Sequence, residues 1–121
     1  MNAELKQKLI DWGVNWEEVK ERLVGNEDLV EKFILKFKND PSMGRLQNGL
    51  ESADAEEAFQ GAHALKGVAS NLALDGNGFL GDVLEITEIL RPRTIGNAKE
   101  VYDRIKPRYD ELIGIINKYS N

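Results

Sequence analysis

Ala98, Tyr102, Ile105, Tyr109, Leu112, Ile116 and Tyr119 recur at alternating spacings of four and three along the C-terminal stretch of the chain. That rhythm follows the 3.6-residue turn of a helix and cannot be laid on the two-residue repeat of a strand. The stretch is therefore constrained to one long helix with a single apolar side, which must find a core to cover it. The stripe passes straight through Pro107, whose missing N–H should deprive the Asp103 carbonyl of its bond and bend the axis. Its continuation beyond that point favours one kinked helix over two.

The same signature recurs upstream. Asp54, with Glu57 three residues on, has the form of a capping box. It opens a helix read over residues 55–74, with the inner stripe Ala58, Ala62, Leu65, Ala69 and Leu72. Small residues in such a stripe let a neighbouring helix come close. After the break Asp75-Gly76-Asn77-Gly78, the residues Phe79, Val83, Ile86 and Leu90 repeat the pattern until Arg91-Pro92. Nearer the N-terminus, Asn15 and Asn26 stand as helix caps, each followed by acidic residues that suit a helix N-terminal dipole. Gly25 ends the first of these helices. Val30, Phe33, Ile34 and Phe37 give the second an inner stripe as far as Asn39-Asp40-Pro41. A weaker helix is read around Ser42 to Ser52, where Leu46 and Leu50 share a face that Gly44 and Gly49 interrupt. Strand signals do not recur. The expectation is an all-α fold, an antiparallel four-helix bundle with short N-terminal helical additions. It should occupy residues 1–121 as a single domain, since no linker, internal repeat or low-complexity tract divides the chain.

Composition narrows the chemistry. The chain has no Cys, which removes disulfides, thiolate nucleophiles and Cys-ligated zinc together. A lone His argues against a His-ligated transition metal, and no calcium-loop spacing is present, so no bound cofactor or metal is expected. The formal net charge of −5 and the lack of a basic cluster argue against nucleic acid as a partner. Glu4, Lys6, Lys8 and Asp11 interrupt the N-terminal segment, unlike a signal peptide, and no apolar run reaches the roughly 20 residues needed to span a bilayer. These features point to a soluble protein of the cytoplasm with no membrane association. A monomer is expected because one bundle consumes the stripes. A Met1 start and the chain length favour a separate protein over a segment of a larger kinase.

The single histidine lies in the stretch AHALKGVASNLAL, residues 62–74. At about 100° of turn per residue, the inner stripe centres near Ala62 and Ala69, and His63 points well away from it, toward solvent. Lys66 and Gly67, three and four positions on, and Ser70 one turn further share roughly its side, while Gln60 and Glu56 border it from the preceding turns. Each residue taken alone reads as an ordinary surface position. Gly67 adds a cost, since a helical Gly loses about 1 kcal/mol relative to Ala.

Together His63, Leu65, Lys66 and Gly67 resemble the H-x-L-K-G core of histidine-containing phosphotransfer (HPt) domains, the carrier modules of two-component phosphorelays. Leu72 fits the apolar position that follows the motif. Gly13-Val14-Asn15-Trp16, the acidic junction Gly25-Asn26-Glu27-Asp28 and the helix order are similar to the family over the whole chain. Ala73 stands where Gly is common, and Val68 is bulkier than the residue often found there. The resemblance implies that His63 accepts a phosphoryl group from a receiver-domain phospho-aspartate and passes it to another receiver aspartate, without autonomous kinase activity. Its partners would be response-regulator receiver domains and a hybrid histidine kinase, with Mg2+ held in the receiver and none here. A neutral imidazole offers a free ring nitrogen as nucleophile. Lys66 supplies an ammonium for the phosphoryl oxygens, and Gly67 keeps the docking surface flat, with Gln60 and Ser70 bordering it. Two other readings compete. One is a helical interaction module that is never phosphorylated. The other is a hydrolase using His63 as general base, although no nucleophile-elbow motif is present.

Overall fold

A computed structural model describes residues 1–120. It is all helical: α1 (Ala3–Trp12), α2 (Trp16–Arg22), α3 (Glu27–Lys36), a 3₁₀ turn (Phe37–Asn39), α4 (Ser42–Glu51), α5 (Ala55–Asn71), α6 (Phe79–Leu90) and α7 (Ala98–Lys118). Side-chain caps set four of the starts, the first through Asn2, which accepts from the Leu5 amide. Asn15 accepts from the Glu18 amide, Asn26 from the Leu29 amide and Asp54 from the Glu57 amide, each satisfying one N–H that the helix leaves free. The last helix runs unbroken through Pro107.

Consecutive helices pack on one another from α4 to α7, and α1 packs on α7. The α4–α5 seam is the tightest. A methyl group built on Gly61 would lie 2.3 Å from the Leu46 amide nitrogen, and one on Gly49 would lie 2.3 Å from that of Ala58, so the two backbones meet where both helices lack side chains. The Tyr102 hydroxyl of α7 donates to Gln47 of α4 at 3.0 Å. Ala58, Ala62, Leu65 and Ala69 of α5, and Phe79, Val83, Ile86 and Leu90 of α6, are all fully buried. One continuous apolar cluster also takes in Leu5, Leu9, Trp12, Trp16, Val19, Val30 and Ile34. The N-terminal helices therefore complete the core and are more than additions to it.

Two expectations require correction. Phe33 is not part of an inner stripe: it is 40% exposed, while Val30, Ile34 and Phe37 carry the buried side of the α3 segment. The helix read over residues 55–74 ends at Asn71, so Leu72, expected on its inner stripe, lies beyond the helix and is only partly buried. There Ala73 turns into the left-handed region, at φ +52°, and the Leu74 amide closes back on the Ala69 carbonyl at 2.9 Å. The chain then leaves the helix axis to reach the N-terminal segment, where the Asn15 amide donates to the Ala73 carbonyl and Val14 bridges Leu74.

Candidate functional site

All five residues singled out in the sequence lie on α5. His63 and Gly67 are exposed, and Gln60, Lys66 and Ser70 are half-buried. The helix is held from two sides. Its small residues admit α4, and Thr87 of α6, fully buried, points its hydroxyl at the Ala62 carbonyl at 3.3 Å and at Val83 of its own helix at 2.7 Å. The backbone just before His63 is thereby fixed to two neighbours, and the opposite side of α5 is turned outward.

On that outward side the charges fall into pairs, with one exception. Arg93, from the connection between α6 and α7, binds Glu56, which also accepts from the Gln60 amide at 2.9 Å. Those two hydrogen bonds, Arg93 first, hold the Glu56 carboxyl below its ordinary pKa. Arg91 pairs with Glu88 at 2.7 Å and lowers that carboxyl in the same way, with Lys66 as a further positive neighbour. Arg22 of α2 pairs with Glu18 and reaches the Ser70 carbonyl. Lys66 has no carboxylate partner among the described residues, so its ammonium is free to meet an incoming anion. A methyl group on Gly67 would find nothing within 4 Å. The space beside the imidazole is open to a partner.

The imidazole itself rests on a ring absent from the sequence reading. Phe59, one turn earlier and only 5% exposed, is stacked with His63, centroids 5.7 Å apart and planes 18° from parallel. The Arg93 guanidinium lies 3.8 Å from the centre of that Phe59 ring and the Arg91 guanidinium 5.4 Å. The i, i+4 spacing of Phe59 and His63 was available as a signal. The arginines were not, since they arrive from another helix connection. Toward the C-terminal end of α5, Val68 and, just past the helix, Leu72 join Leu23, Phe33 and Phe37 around an apolar cleft of about 310 Å³.

Among the described residues no group of His, Asp and Glu side chains is arranged to hold a metal ion, and no helix is long and apolar enough to cross a membrane. No family model, curated protein or solved structure matches the chain.

Proposed function

We propose that the protein is a phosphorelay carrier of the HPt type. The observation that carries this reading is the outward face of α5: an exposed imidazole, an unpaired ammonium at Lys66 and an open position at Gly67 on one helix. In the proposed step the unprotonated ring nitrogen of His63 attacks phosphorus. The bond from phosphorus to the aspartyl oxygen breaks, and its electron pair leaves with the carboxylate. The proton on the other ring nitrogen stays in place, so no general base is needed. Transfer to a second receiver aspartate reverses the step. Positioning and charge carry most of such a reaction, and Lys66 is placed to stabilise the phosphoryl oxygens.

The proposed architecture is an antiparallel four-helix bundle of α4 to α7, supported by their consecutive packing and by the Tyr102–Gln47 bond that joins the first to the last. The proposed partners are receiver domains and a hybrid kinase, met in the cytoplasm by a monomer. A second reading, a module that binds without being phosphorylated, is favoured by the apolar cleft and by Val24, 94% exposed at the end of α2.

Incubation with a phosphorylated receiver domain separates the two. The carrier gains phosphate that is labile to acid and stable to base. His63→Gln gains none and keeps its melting behaviour, because an exposed side chain contributes little to stability. Labelling of that variant would refute His63 as acceptor, and binding without labelling of the wild type would favour the second reading.

A further inference from the structure

An exposed histidine on a helix ordinarily turns about two side-chain bonds and presents its ring at many angles. His63 is placed differently. Its ring lies nearly parallel to that of Phe59, and Phe59 is itself buried. The Phe59 ring is covered in turn by Arg93, its guanidinium at 3.8 Å, well within the range of a cation–π contact. Arg93 is anchored at three points. It pairs with Glu56, its guanidinium donates to the Arg91 carbonyl at 2.7 Å, and its amide donates to the Leu90 carbonyl at 2.8 Å. Its backbone is held in the left-handed region, φ +63°, a conformation that favours Gly. Glu56, Arg93, Phe59 and His63 thus form a chain of contacts that begins and ends on α5.

We propose that Phe59 is a positioning residue for the His63 imidazole and that Arg93 clamps it in that role. The inference rests on the phosphocarrier reading. An attacking nitrogen must line up with the bond that breaks inside a receiver pocket, and small misplacement of reacting atoms costs large factors in rate. A ring held in one plane enters the pocket already oriented. Neither Phe59 nor Arg93 touches the transferred group.

Two donors distinguish orientation from simple access. Phosphoramidate, a small P–N donor, reaches an exposed imidazole from many directions. The ring nitrogen attacks phosphorus, the P–N bond breaks and ammonia leaves. A phospho-receiver demands one direction. Phe59→Leu is expected to accept from phosphoramidate at the wild-type rate and from a phospho-receiver at least about tenfold more slowly. Arg93→Gln should show the same selectivity to a smaller degree, with Arg93→Lys restoring the cation and the rate. Because the chain has one His, its ring protons can be followed without assignment. They should lie upfield in the wild type and move toward free-histidine positions in Phe59→Leu. Equal loss with both donors, no loss with either, or ring-proton positions unchanged by Phe59→Leu overturns the proposal. If Phe59→Leu does not fold, the Arg93 pair decides it by the same donor comparison. Failure of the wild type to accept from every phospho-receiver while phosphoramidate labels it would refute the phosphorelay reading instead, and the ring-proton positions would still report whether the stack exists.

Discussion

Gly61 and Gly67 sit on the same helix within roughly two turns of each other, and they lack a side chain for opposite reasons. At Gly61 the missing methyl group is the space that α4 occupies, since a Cβ there would lie 2.3 Å from the Leu46 amide nitrogen. At Gly67 it would meet nothing within 4 Å. One glycine holds the helix against its neighbour, and the other stands in open space. The two sides of α5 therefore separate stability from the proposed chemistry, and a substitution on one side should leave the property of the other intact.

The largest effect is expected at Gly61→Ala. The new methyl group forces α4 and α5 apart and should lower unfolding stability by about 2 kcal/mol or more, read from the denaturant midpoint. The fraction that remains folded should still accept phosphoryl groups. Wild-type stability would mean that the helices do not cross this closely. Gly67→Glu should reverse the outcome, with stability within about 0.5 kcal/mol of wild type and much slower transfer from a phospho-receiver, since bulk and negative charge then face the incoming pocket. Unimpaired transfer would place the docking surface elsewhere; loss of folding would put Gly67 with Gly61. The smallest effect belongs to Gly67→Ala, a gain of up to about 1 kcal/mol in thermal or chemical unfolding. A loss at that position would contradict the open space around it.

What could be read from the chain beforehand was what depends on neighbours in sequence. Asn15, Asn26 and Asp54 act as caps because each needs only an amide a few residues on, and Ala58, Ala62, Leu65 and Ala69 of α5 and the stripe of α6 are buried where their spacing put them, whereas Leu72 falls beyond the helix end and is only partly buried. The outward direction of His63 followed from the same periodicity. Contacts between distant segments escaped. Nothing local tells a packing glycine from an open one, so Gly61 and Gly67 look alike in the sequence although only Gly61 meets another helix. Phe33 fits the spacing of the buried residues and yet borders a cleft, because α3 is covered on one side only. Phe59 was legible as the i−4 neighbour of His63, but its value depends on Arg93, which arrives from the connection between α6 and α7.

Trp12 donates its indole N–H to the Arg108 carbonyl at 2.9 Å, and Arg108 returns a hydrogen bond to the Trp12 carbonyl at 2.8 Å, across 96 residues of chain. The order of assembly follows from that distance. Helices α4 to α7 meet their partners through short connections, so their pairing carries a small loop-closure cost, whereas α1 gains its main partner only once α7 exists. During synthesis α1 is thus made long before its main partner, and until α7 arrives Leu5, Leu9 and Trp12, all buried in the finished molecule, are a greasy stripe of unclaimed surface.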